Sequence, residues 1–261
     1  MKRLLIVLFA AVLAACAGTR TAPNADREIK TESDQTDADR RAAIRLELAQ
    51  GYFSRGQFST ALDELKLALQ AKPDMREAVN LRGLIYAAMG DHTLAEDTFR
   101  RALTVYPNDA DTLHNFGWFQ CQQQRWQAAD TLFDQALAQP TYRGASRTQL
   151  AKGVCEARSG RLPVAEKTLV RAFELDPASP VIAVNLSEVL YRNGELERAR
   201  FYVKRVNDQP EQANAQSLWL QLRVERKLGN TVATNDLSQQ LRRKYPQSPE
   251  IQALDAGRYD D

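Results

Sequence analysis

An alanine recurs along this chain at intervals of 34 residues, with one interval of 36, at positions Ala61, Ala95, Ala129, Ala165, Ala199 and Ala233. A large apolar residue stands four positions after each alanine: Leu65, Phe99, Phe133, Leu169, Val203 and Leu237. A small residue stands twelve positions before each of the first five recurring alanines: Ala49, Gly83, Gly117, Gly153 and Ser187. A period of this length indicates one supersecondary unit that is copied along the chain.

The copied unit is a helix hairpin. Small residues on both helices let the pair approach closely, large apolar residues fill the space between neighbouring hairpins, and a recurring proline ends the second helix. The period and residue set resemble the tetratricopeptide repeat (TPR), with Tyr52 and Tyr86 at its tyrosine position. We therefore predict an all-α superhelical array of six TPR hairpins over residues 40–261, with repeats at 42–75, 76–109, 110–143, 146–179, 180–213 and 214–247.

The last of these units departs from the pattern. Gln221 replaces the small residue of the first helix, and Asn235 and Gln240 are polar. Because a terminal repeat needs a polar outer face, we predict that this unit is the solvent-facing cap of the array.

The pattern of the first fifteen residues predicts an export signal rather than part of the fold. Lys2 and Arg3 precede an apolar run from Leu4 to Ala15, which as a helix is too short to cross a bilayer. The run ends Leu-Ala-Ala-Cys, which resembles the bacterial lipobox and predicts a lipid on Cys16. The alternative is an ordinary secretory signal beside an incidental cysteine. Alanine rather than aspartate after Cys16 favours sorting to the outer membrane, as in bacterial lipoproteins.

Residues 16–39 then predict a lipidated cysteine and a flexible tether, because they contain a single large aliphatic residue, Ile29, among polar ones. Over the whole chain, 35 basic residues nearly balance 33 acidic ones. This balance gives no indication of a nucleic-acid partner.

The first helices of stacked TPR units line a concave surface that binds partner segments. The positions that face this groove in the general TPR pattern give six candidate partner-binding residues: Leu46, Gln50, Phe53, Asn80, Leu84 and Trp118. We expect a mostly apolar, neutral groove without the clustered Lys and Arg that hold a terminal carboxylate. The first unit is the favoured contact region, because nothing stacks on its outer side.

Two further cysteines, Cys121 and Cys155, lie 34 residues apart on the first helices of adjacent units. Neighbouring first helices pack side by side, and an exported protein meets an oxidising environment, so a disulfide is favoured. The alternative is a pair of buried thiols.

Catalytic and metal sites are not indicated. His92 falls in a turn and His114 on a helix, where we expect a surface histidine, and neither belongs to a recognisable catalytic motif. We expect no enzyme activity, no cofactor, no metal site and no small-molecule substrate.

Three stretches carry a closer resemblance: residues 115–121 read NFGWFQC, residues 140–142 read PTY, and residues 190–195 read LYRNGE. Together with the lipobox, the tether and six TPR units, they resemble the type IV pilus biogenesis and stability lipoproteins of the PilF/PilW family. The resemblance implies a pilotin, which promotes outer-membrane localisation and multimerisation of the pilus secretin from the periplasmic face of that membrane. An alternative from another class is an outer-membrane TPR adaptor that recruits cell-wall hydrolases.

Overall fold

The computed structural model describes residues 36–259, so the predicted signal peptide and Cys16 lie outside the described residues. Within this range the chain forms thirteen helices and no strand. Their bounds are α1 Asp37–Ser54, α2 Phe58–Ala71, α3 Arg76–Ala88, α4 His92–Val105, α5 Ala110–Gln122, α6 Trp126–Leu137, α7 Ala145–Arg158, α8 Leu162–Leu175, α9 Pro180–Arg192, α10 Leu196–Asn207, α11 Ala215–Lys227, α12 Thr231–Lys244 and α13 Pro249–Asp255. Within residues 36–259, none of the helices combines the length and the hydrophobicity that a membrane-spanning helix requires.

The first helix begins earlier than the sequence pattern predicts. Thr36 caps α1 by accepting a hydrogen bond from the Asp39 amide, and the Asp39 carboxylate accepts one from the Thr36 amide, each at 3.1 Å. Such a reciprocal capping box fixes a helix start. The predicted end of the tether at residue 39 is therefore wrong, because α1 already begins at Asp37.

Helices α1 to α12 pair in sequence as six hairpins, which confirms the predicted all-α TPR array. The turn inside a hairpin takes one residue with positive φ, such as Gly90 at 79°, and the third hairpin places Gln124 there at 59°. The packing between the two helices of a hairpin also explains why the first helix carries a small residue. A Cβ on Gly83 would lie 2.6 Å from the Phe99 ring, so the second-helix aromatic packs directly on the glycine backbone.

The array curves because its two sets of helices pack differently. The first helices of successive hairpins (α1, α3, α5, α7, α9 and α11) contact one another, whereas the second helices within residues 36–259 contact first helices but not each other. The first helices therefore lie at the smaller radius and form the concave face.

The C-terminal end of the array is covered by a helix that the repeat pattern does not predict. Ile251 and Leu254 of α13 pack into a cluster with Leu218, Leu222 and Leu237 of the sixth hairpin. Gln221 is only 8% exposed, and its side-chain oxygen accepts a hydrogen bond from Asn207 at 2.8 Å. The prediction that the sixth unit faces solvent as the cap is therefore wrong, because α13 covers its apolar side.

Candidate concave binding face

The concave face holds the predicted partner-binding residues in three separate places. Gln50 of α1 and Asn80 and Leu84 of α3 line one pocket, and Trp118 of α5 lines another. Phe53 remains at the first hairpin, half-buried, with its ring 5.9 Å from that of Phe58. These predicted residues thus lie along the first three hairpins, the units from which they were chosen.

Leu46 does not offer an exposed anchor. It is 9% exposed and belongs to the apolar cluster that also contains Ala49, Leu65 and Ile85. Its helix position faces the core because α2 and α3 both pack against α1. Leu46 therefore stabilises the first hairpin rather than presenting a side chain to a partner.

The first pocket, here called the charged pocket, has a volume of about 600 Å³ and lies between α1, α3, α5 and the loop before α7. Three arginines and three carboxylates line it: Arg76, Arg143, Arg147, Glu77, Asp109 and Asp111. These charges sum to zero, in line with the predicted neutral groove, but the prediction of a mostly apolar groove without clustered arginine is wrong in this region. The loop before α7 contributes Arg143 to the pocket, and the first turn of α7 contributes Arg147.

The pairing within the charged pocket leaves one arginine free. Arg147 donates to Asp111 at 2.7 Å, and the Arg76 guanidinium lies 3.5 Å from an Asp109 carboxylate oxygen. Asp109 also caps α5 by accepting from the Thr112 amide at 3.1 Å. Within residues 36–259 no hydrogen bond or ion pair engages Arg143, so its guanidinium is available to an outside ligand.

A buried network fixes the loop that carries Arg143. The Tyr142 hydroxyl lies 2.7 Å from the Thr148 hydroxyl, which also lies 2.9 Å from His114 Nδ1. A Cβ on Gly144 would lie 2.6 Å from the Tyr142 hydroxyl, so the close approach of this ring requires glycine. The loop is thereby held against α5 and α7 rather than left free above the groove.

His114 itself is 7% exposed, so the expectation of a surface histidine is wrong. Burial, with a smaller contribution from the positive charge of Arg147, lowers the pKa of His114 to about 4. The imidazole is therefore neutral near pH 7 and acts as a hydrogen-bonding core residue.

The second pocket, about 370 Å³ in volume, is apolar and lies farther along the concave face. We call its floor the central patch, which consists of Trp118 of α5, Leu150, Ala151 and Val154 of α7, and Val181 of α9. Arg147 lines both this pocket and the charged pocket, so the two form one continuous surface. The Arg158 guanidinium lies 5.2 Å from the Trp118 ring centroid, as in a cation–π contact.

A disulfide lies behind the central patch. Cys121 of α5 and Cys155 of α7 are bonded, with their Cα atoms 5.8 Å apart, and both are almost completely buried. Trp118 and Ala151 pack against the cluster that contains the two cysteines and Phe133. The bond thus joins the third and fourth hairpins directly beneath the exposed apolar surface.

The face has the character of a binding surface for proteins. Within residues 36–259 no group of three or more His, Cys, Asp or Glu side chains is arranged to hold a metal ion. Exposed apolar side chains beside arginine are typical of protein-binding surfaces, in which aromatic residues and arginine are enriched.

Comparison with known proteins gives a consistent result. Models of the tetratricopeptide repeat family match residues 74–141, 121–180 and 158–214. The type IV pilus assembly protein PilF of Pseudomonas aeruginosa PAO1 is 27% identical over 228 residues, which cover 87% of this chain and 89% of PilF. Among solved structures, PilW, a widely conserved type IV pilus biogenesis factor, is 30% identical with a TM-score of 0.74, over 82% of this chain and 97% of PilW. The structure of P. aeruginosa PilF is 25% identical with a TM-score of 0.73, over 85% of this chain and all of that one.

Proposed function

Because the chain belongs to the PilF/PilW family of TPR proteins that take part in type IV pilus biogenesis, we propose that it is a pilotin for the pilus secretin. In this role it binds a secretin subunit on its concave face and promotes localisation and multimerisation of the secretin at the outer membrane. The observation that carries the proposal is the match over nearly the whole length of PilW, because the two chains share the entire array rather than isolated repeats.

The concave face supports this role by its exposure. Phe53 and Leu84 are half-buried near the first two hairpins, and the charged pocket and central patch follow along the same inner side. A partner segment that followed this face would contact the first helices of at least four hairpins. Contact spread over several units suits an extended or helical segment better than a single deep pocket does.

The lipid on Cys16 would provide the membrane attachment. Each acyl CH₂ that enters the bilayer contributes about 0.8 kcal/mol, so several chains on one cysteine anchor a protein stably. The sequence predicts a flexible tether of twenty residues between Cys16 and α1, and a flexible chain of that length spans about 25 Å, enough to separate the array from the membrane surface.

A deletion of the gene tests the function directly. We expect loss of surface pili and of heat-stable secretin multimers, both restored by the wild-type chain but not by a Cys16→Ala variant that stays soluble. Normal pili and secretin multimers in the deletion strain would refute the pilotin proposal. Altered cell shape with normal pili would instead support an adaptor for cell-wall hydrolases.

A point variant tests the binding face. Phe53→Asp places a charge on the half-buried aromatic of the first hairpin, and we expect secretin capture to fall while the array remains folded. Phe201→Asp is the matched control, because Phe201 is 61% exposed on a second helix, away from the concave face. Equal secretin capture by both variants would show that the first hairpin does not contribute to binding.

A further inference from the structure

The central patch is an exposed apolar surface formed by three helices from three different hairpins. Val181 is 56% exposed, and Trp118, Leu150 and Val154 are each only half-buried. Exposed apolar side chains scattered singly need no explanation, but a contiguous group with a polar rim marks an interaction site. The patch lies on the third to fifth hairpins, whereas the first hairpin carries Phe53.

The rim of the patch is positively charged. Arg147 and Arg158 flank it, and no carboxylate lines the pocket. Arg147 is paired with Asp111, an exposed pair of the kind that contributes little and exchanges readily for another carboxylate. Arg158 stacks on Trp118 and makes no ion pair within the described part of the chain. The positive charge around the patch is therefore incompletely neutralised by the protein itself.

The floor of the patch is held in place before any partner arrives. Trp118 and Ala151 rest on the buried cluster of Cys121, Phe133 and Cys155, and the disulfide links the two helices that supply most of the floor. Binding to such a surface loses little conformational entropy of the receptor. A shallow pocket of about 370 Å³ can therefore serve as a specific site for a few side chains.

We propose that the central patch binds a short acidic segment of a partner protein, in which large apolar side chains alternate with or are flanked by Asp and Glu. The apolar side chains would lie over Trp118, Val154 and Val181. The carboxylates would pair with Arg158 and Arg147, where charge-assisted hydrogen bonds to a guanidinium are strong and directional. The identity of the partner as the secretin rests on the proposed function, whereas the chemistry of the segment rests on the patch alone.

Two labelled peptides test this chemistry on the purified full chain. One fluorescein-labelled octapeptide alternates Leu or Phe with Asp or Glu, and the other replaces every acid with Lys or Arg. We expect fluorescence anisotropy to show binding of the acidic peptide, weaker as salt rises, and little binding of the basic one. Equal binding of both peptides, or tighter binding of the basic one, would overturn the proposal.

Paired variants locate the binding on the array. Val181→Asp places a carboxylate in the patch, and we expect it to weaken binding of the acidic peptide by about tenfold or more. Val232→Asp is the matched control, because Val232 is 70% exposed and, like Val181, is the second residue of its helix. Asp is favourable in the first turn of a helix, so both variants should fold. Equal peptide affinities for the two variants would show that the peptide binds elsewhere.

A charge reversal separates the patch from the proposed pilotin role. Arg158→Glu should weaken binding of the acidic peptide and strengthen binding of the basic one, whatever the natural partner is. Overlapping peptides that span the secretin are then tested on the wild type and on Val181→Asp. If the acidic probe binds the patch and no secretin peptide does, the chemistry stands and the choice of secretin as partner fails. If secretin peptides bind equally to both proteins, they bind outside the patch, and again only the choice of secretin as its partner fails. If the secretin peptides that bind the patch are basic, the inference is overturned while the pilotin role survives.

Discussion

The disulfide between Cys121 and Cys155 makes a quantitative prediction about the stability of the array. It closes a loop of 34 residues that contains the end of α5, all of α6 and most of α7. In the chain-entropy description, a cross-link stabilises the folded state by restricting the unfolded chain, and the effect grows with the logarithm of loop length. For this loop the contribution is about 3.8 kcal/mol at 25 °C.

Reduction is the cleanest perturbation, because it removes the cross-link and changes almost nothing else in the buried cluster. For a domain of this size, a loss of about 3.8 kcal/mol corresponds to a fall of roughly 8 to 15 °C in Tm. The measurements are thermal unfolding for the Tm and urea unfolding for the free energy, both followed by far-ultraviolet circular dichroism with and without reductant. Thiol titration of the unfolded chain should find two additional thiols after reduction.

A double variant, Cys121→Ala with Cys155→Ala, is the control. Its unfolding curve should resemble that of the reduced wild type and should not respond to reductant. If two thiols are released and the unfolding free energy changes by less than about 1 kcal/mol, the loop-entropy reasoning fails for this array. If the thiol count does not change, the two cysteines are not bonded in the folded protein.

Three further predictions concern the core and the end of the array. The folded-state pKa of His114 lies below its ordinary value, so its contribution to stability is complete above pH 6.5 and is lost as pH falls towards 4, by about 3 kcal/mol. The unfolding free energy from urea titrations at several pH values should therefore depend less on pH for His114→Gln than for the wild type. Equal pH dependence of the two proteins would refute this. Phe99→Ala should lower the free energy of unfolding by about 3 to 5 kcal/mol, because the Phe99 ring is fully buried, with its centroid 5.4 Å from that of Phe116. Phe201→Ala, at an exposed site, should leave the unfolding midpoint nearly unchanged. Ending the chain after residue 247 removes the buried Ile251 and Leu254 and should lower the free energy of unfolding by about 3 to 6 kcal/mol in the same assay. An unchanged midpoint would show that α13 does not cap the array.

The repeat spacing was sufficient to predict the hairpins because each repeated residue has a local packing reason. Gly83 is small because the Phe99 ring lies against its backbone, and both positions recur at the same interval in the next unit as Gly117 and Phe133. The same spacing places Cys121 and Cys155 on neighbouring first helices, which is how the sequence alone favoured their pairing. Features that repeat are therefore the ones that the sequence predicts well.

Features that occur only once could not be predicted from the repeat spacing. The α13 cap has no counterpart in the repeat, although Ser248 and Pro249 form a recognisable helix start. The charged pocket depends on Arg143, which lies in a loop, and on Arg147, which belongs to the next unit. Their meeting with Arg76 follows from a loop held by Tyr142 and Thr148, a long-range arrangement that no local pattern encodes.

The cross-link also has a mechanical consequence. In a stack of hairpins, each hairpin contacts only its neighbours, so stretching and bending occur at the interfaces between hairpins. The stiffness of the array therefore varies from one interface to the next. The bond between Cys121 and Cys155 fixes one of these interfaces at the inner radius, with the Cα atoms 5.8 Å apart. Under a pulling force applied to the two ends of the array, extension would concentrate in the interfaces on either side. The surface around Trp118 would keep its shape under load while the two arms of the array flex.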